Sequence, residues 1–162
     1  PRQRIYDKVG KIVQAYRERC PNLPDILLTN GDTRQWQRRA GTGLAASGTV
    51  TVECAISGLP LVVCYRFNKI TFMVARMLVK LYRGFFTMTN IIANKKVYDE
   101  FLQWQVCPEI MVPALEKILP GGERRAEVEQ DIANVRDMLC CGRNDASANA
   151  ARVCLEFVGE NK

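Results

Sequence analysis

The run Ala45-Ala46-Ser47-Gly48-Thr49-Val50-Thr51-Val52-Glu53 brings together residue types at a spacing that can do chemistry. An apolar, strand-like segment stops at Ser47, the chain turns on Gly48, and a helix opens with a carboxylate one turn in. A small-residue turn at a helix start leaves backbone N–H groups free, with the positive end of the helix dipole behind them. That arrangement suits a phosphate. Glu53, about one helical turn beyond Thr49, can accept hydrogen bonds from ribose or sugar hydroxyls. The same residues also describe a Ser/Thr-capped helix on a sheet with a solvated glutamate, and cap and phosphate roles are compatible.

The next segment, Gly58-Leu59-Pro60-Leu61-Val62-Val63-Cys64-Tyr65-Arg66, reads as a tight turn and a buried strand ending in a polar pair. Ligands of parallel sheets bind at carboxyl ends of strands, which is where Tyr65 and Arg66 fall. Arg66 can grip a phosphate bidentately or form a surface ion pair. Three more segments follow: Thr71 to Lys80, Asn90-Ile91-Ile92-Ala93, and Glu100-Phe101-Leu102-Gln103.

In this order and spacing, the segments closely resemble the C-terminal domain of the lipid-A-disaccharide synthase family, which has the GT-B glycosyltransferase fold. The shared features are an A-S-G-T-x-x-x-E turn, a V-x-Y-R strand end, a T-x-x-x-A-x-x-L-V-K helix, an N-[LI]-[LI]-A segment and an E-[LF]-[LI]-Q helix. The resemblance runs from about residue 25 to about 157. It implies that Ser47, Gly48 and Thr49 receive the pyrophosphate of a UDP-sugar donor and that Glu53 binds its ribose. It further implies that Tyr65, Arg66, Asn90, Glu100 and Gln103 line the substrate cleft. Glu100 and Gln103 are then expected one turn apart on one helix face, which is equally a solvated face.

This sequence departs from the family around Asn90. Thr89 stands at a usual proline, about two residues are inserted before it, Asn94 replaces a usual glycine and Lys96 a usual glutamate. Family members transfer 2,3-diacylglucosamine from its UDP conjugate to 2,3-diacylglucosamine 1-phosphate, and they are more than twice this length. The acceptor-binding half and the catalytic base then belong to a part with no counterpart here. The chain is expected to be a fragment or one part of a split enzyme, inactive alone, with no catalytic residue of its own. Two other readings fit the residues. One is another UDP-sugar enzyme of the same fold; the other is a non-catalytic remnant or UDP-binding association module.

Composition narrows the classes. The 162 residues with 48% hydrophobic content suffice for a globular core. No apolar run approaches the ~20 residues that span a bilayer, and the basic N-terminus lacks a signal-peptide core. With 23 Lys+Arg against 17 Asp+Glu the net charge is +6, which favours anionic partners. No nucleic-acid-binding motif is present. The absence of histidine excludes His-based triads and most zinc sites. Seven cysteines without C-x-x-C spacing read as reduced thiols, with Cys54, Cys64 and Cys154 as small core hydrophobes. Neither a metal nor a cofactor is expected, and a cytoplasmic location, peripheral to the inner membrane, is.

These residues need a scaffold. Ile5, Val9, Ile12, Val13 and Tyr16 form a helical stripe over 2–19. Residues 25–29 read as a short strand, 32–36 as a short helix, and 44–46 and 61–65 as strands around a helix ending near Ser57. Residues 70–81, 97–105, 109–119, 123–139 and 145–158 read as helices. Alternating strands and helices imply a parallel sheet. The expected fold is therefore α/β, a partial Rossmann-like parallel sheet (second half of the C-terminal GT-B domain) with a C-terminal helical tail. The division is 1–120, nucleotide-sugar binding, and 121–162, helical extension. Basic residues Lys80, Arg83, Lys95 and Lys96 around Phe85-Phe86 suit a membrane surface as well as core burial. Ile132, Val135, Met138 and Leu139, with Val153, Leu155, Phe157 and Val158, supply apolar faces for a homodimer that exchanges this tail.

Overall fold

The computed structural model describes residues 2–22, 24, 26–68, 84–140 and 146–160. The expected helix over 70–81, with Lys80 and Arg83, and the Cys141-Gly142 break lie outside them. Two compact units make up the chain, Pro1–Trp36 and Gln37–Lys162.

In the first unit, helix α1 (Arg2–Arg19) coincides with the apolar stripe, whose Ile5, Val9, Ile12 and Tyr16 are all exposed. The expected strand at 25–29 does not form: residues 26–29 belong to no strand, and Asp25 is outside the described residues. Side chains of α1 hold this segment instead. Tyr6 donates its hydroxyl to the Leu28 carbonyl at 3.2 Å, and Arg17 donates to Ile26 O at 2.9 Å. An apolar run signals a preference for burial, but a strand also needs a ladder partner.

Helix α2 (Thr33–Arg39) runs one turn beyond its expected end at Trp36, and Gln37 is buried. Strand β1 (Gly43–Ala46), helix α3 (Thr49–Ile56) and strand β2 (Leu61–Tyr65) follow as the alternation requires. Leu61, Val62 and Val63 are buried, as the centre of a sheet covered on both faces demands. Helix α4 (Met88–Ala93) leads to strand β3 (Asp99–Leu102).

Here the expected helix over 97–105 is corrected. Residues 99–102 pair in parallel with β2, Val63 opposite Glu100 and Tyr65 opposite Leu102, and a single 3₁₀ turn, Gln103–Gln105, follows. Glu100 and Gln103 therefore do not share a helix face. The pairing edge of β2 overrides local propensity. The resulting sheet is parallel, in the order β1-β2-β3. It is the partial Rossmann-like sheet expected.

Helix α5 (Pro108–Glu116) packs on β2, and α6 (Arg125–Cys140) packs on α3 and α4. Val128, Ile132 and Val135 of α6 join the same core as β2, while Met138 is exposed. Helix α7 (Ala146–Glu160) exposes Val153, Leu155, Phe157 and Val158. Cys54 is buried as expected and Cys64 half-buried, but Cys154 is exposed, because its run lies on α7 rather than in the core. Burial, with the Glu53 charge second, pushes the Cys54 thiol up to about 11. Tyr98 is fully buried and donates to Leu59 O at 3.0 Å; burial holds its phenol above the usual range.

The turn between α5 and α6 depends on a close backbone approach. A Cβ at Gly122 would sit 2.4 Å from the Lys117 carbonyl oxygen and 2.6 Å from that of Glu116. Backbone cannot yield there as a side chain can. Gly122→Ala is expected to lower stability by about 1–3 kcal/mol. Gly159→Ala, with nothing within 4 Å, should stay within about 1 kcal/mol of the parent. Urea unfolding of both variants checks the pair.

Candidate functional site at the carboxyl edge of the sheet

Parallel strands deliver all their carboxyl ends to one edge. Ser47 follows β1, Tyr65 ends β2 with Arg66 next, and Gln103 follows β3, so these residues form a row in strand order. At the β1 end, Gly48 has φ 152° and ψ −166°, a region closed to residues with a Cβ, and the space beside it is open.

No side chain caps α3. Ser47 donates to the Phe86 carbonyl at 3.3 Å, and Thr51 donates to the Gly48 carbonyl at 2.8 Å. The Ser47 hydroxyl, a candidate cap in the sequence, is thus turned elsewhere. The helix start carries no side-chain cap, and the positive end of its dipole favours an anion. Thr49 and Glu53 are exposed on α3, available to an incoming group.

Asn90 and Glu100 lie inside this edge rather than on it. Asn90 is fully buried and every hydrogen-bonding position of its amide is used. Its Oδ1 accepts from the N–H of Val97 (3.0 Å) and Tyr98 (2.9 Å). Its Nδ2 donates to Tyr98 O and to Glu100 Oε1, both at 2.9 Å. Glu100 also accepts from the backbone N–H of Thr87 at 2.7 Å and of Phe86 at 3.3 Å. The segment 86–87 is therefore held from below by a carboxylate, and its Phe86 carbonyl in turn receives Ser47. Nothing in the local sequence pattern points to this Glu100 role, since its partners lie 10 to 14 residues away.

The departures around Asn90 now have physical reasons. Thr89 lies in the first turn of α4, where an N–H has no intrahelical partner and proline is tolerated. Asn94 ends α4 in the left-handed conformation, φ 46° and ψ 32°, which glycine favours and asparagine tolerates. Lys96 forms an ion pair with Asp99 at 2.5 Å, and Arg124 binds the same carboxylate at 2.7 Å.

At the other strand ends, Tyr65 is partly exposed and meets Phe67 edge-on, with ring centroids 4.6 Å apart. Arg66 donates from Nη2 to Val106 O at 2.7 Å and from Nε to Gln103 O at 3.3 Å. Gln103 donates from its side chain to Phe67 O at 3.3 Å.

The family model described as lipid-A-disaccharide synthetase matches residues 6–153. The chain belongs to this family. Among curated relatives, the lipid-A-disaccharide synthase of Colwellia psychrerythraea is 36% identical over 141 residues, covering 87% of this chain and 34% of the relative. The synthase of Koribacter versatilis is 37% identical over 145 residues, covering 88% and 37%. That of Solibacter usitatus is 33% identical over 146 residues, covering 90% and 37%. The chain spans about a third of the length of these curated lipid-A-disaccharide synthases. The family match includes the three strand ends and the Asn90–Glu100 network.

Truncating Asn90 tests that network. Asn90→Ala leaves the buried N–H of Tyr98 without its acceptor and that of Val97 with the Lys95 carbonyl alone, so a loss of about 1–3 kcal/mol in unfolding free energy is expected. Chemical denaturation with an unchanged m-value would show that the loss is one of stability alone.

Proposed function

We propose that this chain is the donor-nucleotide part of a lipid-A-disaccharide synthase, a glycosyltransferase of lipid A biosynthesis. The observation that carries the reading is the uncapped start of α3 at the carboxyl edge of the parallel sheet, with open space over Gly48. The diphosphate of a UDP-sugar sits at Ser47, Gly48 and Thr49, and Glu53 receives ribose hydroxyls. Tyr65, Arg66 and Gln103 form the rim on the neighbouring strand ends. Asn90 and Glu100 serve the site by holding the segment that Ser47 touches.

In the reaction, a hydroxyl of 2,3-diacylglucosamine 1-phosphate attacks the sugar of UDP-2,3-diacylglucosamine in line, with inversion, and UDP departs. Backbone N–H groups and the helix dipole stabilise the charge that gathers on the leaving diphosphate. No carboxylate of this chain is assigned as the base, and the chain alone does not turn over. Among the described residues no helix is long and apolar enough to cross a membrane. Contact with the inner membrane from the cytoplasmic side is therefore proposed as peripheral, through the basic-aromatic stretch around Phe85 and Lys95. The exposed Val153, Leu155 and Val158 of α7 support self-association through the tail.

Titration with UDP should shift the backbone amides of residues 47–53 most. Glu53→Ala should weaken UDP by about 1–3 kcal/mol. Largest shifts elsewhere, or none at millimolar UDP, would remove the site. In a separate assay, the purified chain supplied with both acyl-glucosamine substrates should form no disaccharide. Turnover without a partner would show that it holds an acceptor site and a base after all.

A further inference from the structure

Arg66 is the one guanidinium in the row of strand ends, and on charge alone it would be given to the diphosphate. Its hydrogen bonds point elsewhere. Nη2 reaches Val106 O at 2.7 Å and Nε reaches Gln103 O at 3.3 Å, carbonyls 40 and 37 residues away in sequence. These two carbonyls bracket the 3₁₀ turn Gln103–Gln105. The turn answers in kind, since Gln103 Nε2 donates to Phe67 O, one residue past Arg66, at 3.3 Å. Within the turn, Gln105 Oε1 accepts from Leu102 N–H at 3.2 Å.

The clasp has work to do. Gln103 sits at φ 54°, the left-handed region that a non-glycine residue holds only where its surroundings impose it. A planar fork with fixed N–H directions suits two convergent carbonyls, and a lysine ammonium on a flexible stem does not. Trp104, between the two tie points, has 74% of its surface exposed and does not anchor the turn by burial.

We propose that Arg66 is a positioning residue: by clasping the 103–106 turn it sets the rim of the site beyond the α3 turn, and it does not neutralise the diphosphate. This rests on the nucleotide reading given under Proposed function. It separates two ligands that share the same charge-bearing group. Inorganic pyrophosphate needs only the α3 turn, whereas UDP also needs the rim that Arg66 holds in place.

The chain has two tryptophans, so Trp36→Phe leaves Trp104 as the sole emitter of the clasped turn. In that background, Arg66→Lys keeps the charge and breaks the fork, while Gln103→Ala removes the return bond and no charge. Both variants should lower the anisotropy of Trp104 emission. Both should weaken UDP by about tenfold, equivalent to 1.4 kcal/mol, and leave pyrophosphate affinity within about twofold. Equal losses of UDP and pyrophosphate in Arg66→Lys would overturn the proposal in favour of a direct phosphate contact. Unchanged UDP affinity in both variants, or an unmoved Trp104 anisotropy, would also overturn it. If the parent chain binds neither ligand, the nucleotide reading falls with it; UDP bound by the parent and both variants alike removes the positioning role alone.

Discussion

The carboxylate of Glu100 gathers three donors, the backbone N–H groups of Phe86 and Thr87 and the side-chain amide of Asn90. A half-buried carboxylate is costly without such partners and strongly held with them, because charge-assisted hydrogen bonds are stronger than neutral ones. Asn90 extends the hold to Val97 and Tyr98, just before β3. The approach to β3, the start of α4 and the 86–87 segment are thus fixed as one piece. Ser47 leans on that piece through the Phe86 carbonyl, so the turn that opens α3 inherits its position.

Glu100 can play this role because it sits in a strand. Its register opposite Val63 places the residue beside the central strand, within reach of segments that a helix face would not meet. The parallel order β1-β2-β3 then brings Ser47, Arg66 and Gln103 to one edge. Function in such a sheet resides in the turns after the strands, and here each of these turns is held by a neighbour. Ser47 is tied to Phe86, and the Arg66 and Gln103 turns are tied to each other.

The far side of the unit is held by packing and charge together. Val128, Ile132 and Val135 bury one stripe of α6 in the core. Around them, Arg124 pairs with Asp99, and Lys95 pairs with Asp131 at 2.8 Å. The Asp131 hydrogen bond pushes the Lys95 ammonium above its ordinary range, so the ammonium stays charged at neutral pH and through moderate alkali. α1 and α7 are held by less, with their apolar residues turned outward.

Local pattern alone was enough to determine the β1–α3–β2 alternation, the glycine turn before α3, the span of α1 and the helical tail. Each of these is written in periodicity or in a residue with a special backbone preference, and such signals reach only a few residues. The family resemblance, carried by five short motifs, was likewise legible. Tertiary structure decided the rest. It made 99–102 a strand because β2 offered an edge, and left 26–29 without a ladder, bonded to side chains of α1. It turned Asn90 and Glu100 inward, and it gave Arg66 two backbone carbonyls to hold. These outcomes depend on partners 7 to 40 residues away. A hydrogen bond across that distance leaves no periodic trace in the chain, because only the fold brings its two ends together.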